Sequence, residues 1–128
     1  MGTGQSAEQI LRSARAAYAA FSWGDVAAAM DNMADDIEWV VPGNSTVSGT
    51  HHGKEEVRAF YGKLVEKSLT TEPEHFLGDE ERVVVLTRIT AAGESSDDVD
   101  ILTYRDGKVA KIQSVFDTLF AQRIFGTK

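Results

Sequence analysis

Apolar positions recur every three or four residues in the first half of the chain and about every second residue in the last third. Ile10, Leu11, Ala14, Tyr18 and Phe21 predict one apolar helical face, with Ser6 and Gln9 spaced as a capping box. Gly24 breaks that helix, and Asp25 is placed to cap a second, shorter one carrying Val26, Met30 and Met33. "ADD" ends it, and "IEWVV" (37–41) reads as a strand closed by Pro42-Gly43. "GNSTVSGTHHG" is a loop by composition. "KEEVRAFYGKLVEKS" returns to helical spacing through Val57, Phe60, Tyr61, Leu64 and Val65. Gly62 costs that helix about 1 kcal/mol relative to Ala.

Beyond residue 70 the spacing changes. "TEPEHFLG", "ERVVVLTRIT", "DDVDILTYR" and "KVAKIQSVFD" predict four successive strands, joined by "GDE", "AAGESS" and "RDGK". Asp106-Gly107 is a strong hairpin signal, because a type I′ turn needs positive φ at both central positions. "TLFAQRIFGTK" predicts a short helix capped by Asp117. Helices that precede an antiparallel meander must cover one face of it, which makes the fold α+β. Residues 1–5, "MGTGQ", read as a disordered lead-in, and residues 6–128 as one domain.

Composition narrows the function classes. The 128 residues include no cysteine, so disulfides and thiolate chemistry are out. A net charge of −7, with Lys and Arg scattered, disfavours nucleic acid and anionic membranes as partners. No run approaches the roughly 20 apolar residues of a spanning helix. No basic region followed by an apolar run opens the chain, so a cytoplasmic setting is the default. His51, His52 and His75 lack the spacing of a metal motif, and Asp97, Asp98 and Asp100 lack that of an EF-hand, so neither metal nor cofactor is expected.

Candidate chemistry centres on Asp100, a carboxylate in a strand whose neighbours favour burial. Alternation places Asp98, Asp100, Leu102 and Tyr104 on one strand face. If that face lines a cavity, desolvation raises the Asp100 pKa and makes it a hydrogen-bond donor at neutral pH. The alternative reading pairs it with Arg88 or Lys111, or turns it to water.

Four stretches carry a resemblance: "YAAFSWGD" (18–25), "MADDIEWVVPG" (33–43), "GTHHGKEEVRAFY" (49–61) and "YRDGKVAKIQSVFD" (104–117). In this order they resemble the nuclear-transport-factor-2-like superfamily, in its ketosteroid-isomerase and SnoaL-like polyketide-cyclase branches. The resemblance implies an NTF2-like, or cystatin-like, cone: a curved, mostly antiparallel sheet wrapped by three helices from the N-terminal half. It also implies an apolar pocket and a homodimer formed through the sheet's outer face.

Residue by residue, Asp100 falls where the steroid isomerases keep a neutral aspartic acid that donates to an enolate-like oxygen. Tyr61 matches a supporting pocket tyrosine. The main oxyanion tyrosine aligns with Ala17, one residue from Tyr18, and the catalytic base aspartate is replaced by Val41. A true ketosteroid isomerase is therefore not expected. The epoxide-hydrolase branch also fails, because its acids fall on Thr90 and Ser114 beside Arg88. Asp117 stands where SnoaL-like cyclases carry a general acid/base, although a helix cap is the stronger reading. A base must come from Asp117, Asp98 or a histidine. The expected cavity lining is Tyr18, Phe21, Trp39, Val41, Phe60, Ile112, Ser114 and Phe116, with help from Phe120.

The expected function is binding of a small apolar or aromatic molecule, with cofactor-independent isomerisation, cyclisation or dehydration through an enol(ate). The alternatives are a non-catalytic ligand-binding or dimerisation module, or a protein-interaction module.

Overall fold

The computed structural model describes residues 6–128; the expected lead-in, residues 1–5, lies outside them. Helix α1 (Ala7–Ser22) starts at the Ser6–Gln9 capping box, and its buried stripe runs through Ile10, Ala14 and Phe21. Asp25 caps α2 (Val26–Ala29). This helix is shorter than its apolar spacing suggests, because Met33 belongs to strand β1 (Met33–Val41) instead. Asn32 holds that turn. Its amide donates to Ser13 Oγ at 2.8 Å and to the Gly107 carbonyl at 2.9 Å.

Strand β2 (Gly49–His52) corrects the expectation of a continuous loop: Gly49 faces Val41 and His52 faces Glu38 in an antiparallel pair. A four-residue polar edge strand has no apolar alternation to betray it. Helix α3 (Gly53–Glu66) buries Val57, Phe60, Tyr61 and Leu64. Strands β3 (Thr70–Gly78), β4 (Arg82–Ala91), β5 (Glu94–Arg105) and β6 (Lys108–Phe116) form the meander, and α4 (Thr118–Phe125) follows. Strand β5 begins earlier than "DDVDILTYR" suggests, because the β4–β5 turn is confined to Ala92 and Gly93, both at positive φ. Asp106 and Gly107 turn as expected, with φ of 53° and 78°.

The six strands form one curved, unclosed sheet in the order β2-β1-β6-β5-β4-β3. Every pairing is antiparallel except β1 with β6. The fold is thus the expected α+β architecture. Its inner face carries the core, including Ile37, Val83, Val85 and Leu102, covered by α1, α3 and α4. Near the Pro42 bend, a Cβ on Gly43 would stand 2.8 Å from Thr118 Cβ, and its φ is +95°. Only glycine lets α4 settle there.

Candidate functional site

One register shift arranges the site. Next to the β5–β6 turn, Arg105 faces Lys108 and Tyr104 faces Val109, but Thr103 faces Lys111. Ala110 is the extra residue of a bulge. Beyond it Leu102 faces Ile112, Asp100 faces Ser114 and Asp98 faces Phe116. All six side chains lie on the inner face, where they meet α1, α3 and α4 around a cavity of about 90 Å³. One water needs roughly 10–15 Å³ on that measure, so the cone is not filled by its own side chains.

The wall is mostly apolar. It includes Tyr18, Phe21, Trp39, Val41, Phe60, Ile112, Ser114, Phe116 and Phe120, the residues expected to line it, and also Asp100 and Tyr61. Trp39 meets Phe60 and Tyr61 edge-on, with ring centroids 5.0 and 5.3 Å apart. No Lys, Arg or His stands among the lining residues.

Polar groups gather at one place on this wall. The Trp39 indole N–H donates to Ser114 Oγ at 2.9 Å, and the Ser114 hydroxyl donates to Asp100 Oδ1 at 2.8 Å. From α1, the Tyr18 hydroxyl donates to the other carboxylate oxygen, Oδ2. Asp100 therefore accepts from two hydroxyls instead of pairing with a cation. Arg88 binds Asp97 at 3.2 Å on the outer face, and Lys111 is exposed. Asp98, two residues from Asp100 on the same strand face, is 5% exposed, and its Oδ1 has no hydrogen-bond partner. Burial raises the pKa of both carboxyls, and for Asp98 the charge of Asp100 raises it further. Burial, then the charge of Asp100, also pushes the Tyr18 and Tyr61 hydroxyls up. Two acids so placed with no cation beside them hold at least one proton at neutral pH.

Asp117 stands apart. It is exposed, is absent from the cavity wall, and caps α4 by accepting from Leu119 N–H at 3.0 Å. The histidines are elsewhere too. His51 bonds the Val47 carbonyl at 2.8 Å and stacks on Phe60, His52 lies 3.2 Å from Glu38, and His75 is exposed. Among the described residues no group of three His, Cys, Asp or Glu is placed to hold a metal ion, and no helix is long and apolar enough to cross a membrane.

Sequence reasoning placed Tyr18 on the wall but not on Asp100, because the family's oxyanion tyrosine aligns with Ala17. Both residues reach the cavity. The longer side chain bridges the offset of one helical position. The Trp39–Ser114 link is visible only once the bulge sets the register.

The sequence profile of the SnoaL-like domain family matches residues 14–112. No curated protein matches the chain. Among solved structures, Bal32a from a soil-derived mobile gene cassette is 26% identical with a TM-score of 0.84, over 93% of this chain and 98% of that one. An NTF2-like protein from Burkholderia xenovorans LB400 is 29% identical with a TM-score of 0.79, over 95% and 99%. TerC, co-crystallised with polyporic acid, is 25% identical with a TM-score of 0.79, over 93% and 99%. A cone of this topology, matched by the family profile over most of its length, makes the chain a member of the SnoaL-like domain family.

Proposed function

We propose that this protein binds a small, mostly apolar or aromatic carbonyl compound and moves protons between its keto and enol(ate) forms without a cofactor. The observation that carries this reading is Asp100, buried in an apolar cavity wall and joined to Tyr18, Ser114 and Trp39. A ligand oxygen beside Tyr18 meets a hydroxyl whose other neighbour is an acid. When Asp100 holds the pair's proton it donates to the Tyr18 oxygen, and the Tyr18 O–H is free to turn to the ligand. Preorganised donors of this kind in a water-poor site favour the oxygen on which charge develops. Similarity to TerC, crystallised with polyporic acid, supports an aromatic ligand. Isomerisation, cyclisation and dehydration all pass through such an enol(ate), and Tyr61 adds a second hydroxyl to the same wall.

We also propose a homodimer. On the outer face of the sheet Val84 faces Ile101, Leu86 faces Val99, and Val99 faces Val115, which is 50% exposed. An apolar patch of that kind on a small protein marks an interaction surface. A chain without cysteine suits the reducing cytoplasm, the location we assign to it.

The test is fluorescence titration with a panel of phenols, 2-naphthol among them, which present an enol-like oxygen on a flat ring. The chain has two tryptophans, and Trp23 is 86% exposed, so Trp23→Phe leaves Trp39 as the only reporter. Saturable quenching is expected at about pH 6, weakened about tenfold in Tyr18→Phe, the upper end of the worth of one neutral hydrogen bond. If no phenol binds, or if Tyr18→Phe binds as tightly as its parent, the reading fails.

A further inference from the structure

The cavity wall has a second polar place besides Asp100, built from Tyr104, Ser13 and Asn32. Tyr104 follows Asp100 by four residues on the same face of β5, about 13 Å at strand spacing. Ser13 precedes Tyr18 by five residues on α1, about 7.5 Å along the helix. Tyr18 meets Asp100 and Ser13 stands beside Tyr104, so α1 and β5 run side by side from one polar place to the other. Asn32 fixes the second place. Its amide donates to Ser13 and to the Gly107 carbonyl, and its own carbonyl accepts from the Val109 N–H at 2.9 Å. The start of α1 is thereby tied to the β5–β6 turn. The Tyr104 hydroxyl is left over. The residue is 7% exposed and burial pushes its pKa up to about 12, yet its oxygen has no hydrogen-bond partner, with Ser13 close by but outside bonding geometry. Buried tyrosines ordinarily bond their hydroxyls, and a phenylalanine would fill the same space without the cost of an unmade bond. Among the described residues the other buried side-chain oxygens without a partner belong to Asp98, Thr87 and Thr71. Asp98 shares a hydrogen bond with Asp100, Thr87 is absent from the wall, and Thr71 stands on the edge strand β3. Tyr104 alone is paired with a rigid polar frame.

From this arrangement we propose that Tyr104 is a specificity-determining residue, whose hydroxyl binds a second oxygen of the ligand at the end opposite the oxygen held at Tyr18. The inference rests on the ligand-binding reading given above. It narrows the ligand class to flat ring systems that carry an oxygen at each end. The chemistry of the second place sets the kind of oxygen. Tyr104 offers a neutral O–H donor, and no Lys, Arg or His lines the cavity. A carboxylate or phosphate would be buried there without a counter-charge, so the second oxygen is that of a carbonyl or a hydroxyl. Between the two places the same strand face presents Leu102, and across from it Ile112, both buried and apolar. Rings fit against these side chains while their oxygens reach the two ends. A ligand with one oxygen leaves the Tyr104 hydroxyl unmatched, and a ligand with two satisfies both places. Discrimination between the two comes from Tyr104.

The experiment titrates the Trp23→Phe chain with 2-naphthol, 2,6-naphthalenediol and 2,3-naphthalenediol, with Trp39 as reporter. The 2,6-diol carries its oxygens at opposite ends of the rings, and the 2,3-diol carries both at one end. The 2,6-diol is expected to bind more tightly than 2-naphthol. Adding Tyr104→Phe should weaken the 2,6-diol about threefold to tenfold, the net worth of one hydrogen bond, and leave the other two within about twofold of their parent values. Equal weakening of all three ligands would assign Tyr104 to packing alone and overturn the proposal. So would a 2,6-diol that gains nothing over 2-naphthol, or one that keeps its gain in Tyr104→Phe. Loss of that gain in Thr71→Val instead would also overturn it, by placing the second oxygen on β3. In each of these cases 2-naphthol still binds and the ligand-binding reading stands. If none of the three ligands binds, both readings fall.

Discussion

Asp98 and Asp100 are held where neither carboxyl has a cation and both face apolar side chains, and this sets how the folded chain responds to pH. Burial raises both pKa values, so the native protein keeps protons that unfolded aspartates, with pKa near about 3.9, have released. Stability from this source is complete below about pH 4 and is lost as pH climbs through the raised values, the reverse of the usual carboxylate. Asp98→Asn removes one of these titrations and cannot ionise. Its melting temperature should exceed that of wild type at pH 8 and approach it at pH 5. Its advantage should grow by about 1.4 kcal/mol for each pH unit between pH 5 and pH 8, because the native Asp98 stays protonated where the unfolded one is ionised. A difference that does not change with pH would mean that Asp98 ionises in the fold as easily as in water. At this scale the sequence was partly legible. Alternation along β5 put both acids on one face, because strand periodicity is rigid. The contact between Tyr18 and Asp100 joins residues 82 positions apart and depends on how α1 lies across the sheet, which no local spacing encodes.

The elements differ in how clearly the chain announces them. Helices α1 and α3 and the strands of the meander carry periodic apolar faces and turn residues, and they appear where those signals stand. Strand β2 has neither, being an edge strand paired with Glu38–Val41. Met33 matched a helical spacing yet joined β1, since pairing beside Val109 and the Asn32 anchor outweigh one apolar position on a four-residue helix. The bulge at Ala110 is the most consequential hidden feature. A simple count from the Asp-Gly turn pairs Asp100 with Gln113, and the bulge brings it opposite Ser114 instead. Gly62 offers a direct check on α3. It is exposed, and a Cβ there would meet no atom within 4 Å. Gly62→Ala should therefore stabilise the protein by about 1 kcal/mol, the propensity difference in a helix interior. That corresponds to a rise of roughly 3–4 °C in Tm for a chain of this length, readable by circular dichroism, with phenol binding unchanged.

At the scale of the molecule the sheet has two unlike faces. The inner one closes on the cavity, and the outer one presents Val84, Leu86, Val99, Ile101 and Val115. Exchanging Ile101 and Val99 for lysine and aspartate changes only the outer side. Sedimentation should then report a particle of 14.0 kDa where the wild type gives twice that mass. A wild-type chain that sediments as a monomer would rule out the dimer without touching the cavity.

The strand order also has a bearing on time. Strand β6 is the seam between two parts of the sheet, β2-β1 on one side and β5-β4-β3 on the other, and it is the last strand to leave the ribosome. Until it emerges, β1 lacks the partner that Trp39 and Val40 meet at Ile112 and Gln113, more than seventy residues downstream. Pairings that distant in sequence form slowly, because the loop they close must be ordered before any contact rewards it. The nascent protein therefore carries open strand edges until β6 has emerged, and those edges are exposed to chaperones or to other chains until the β5–β6 hairpin joins the two parts.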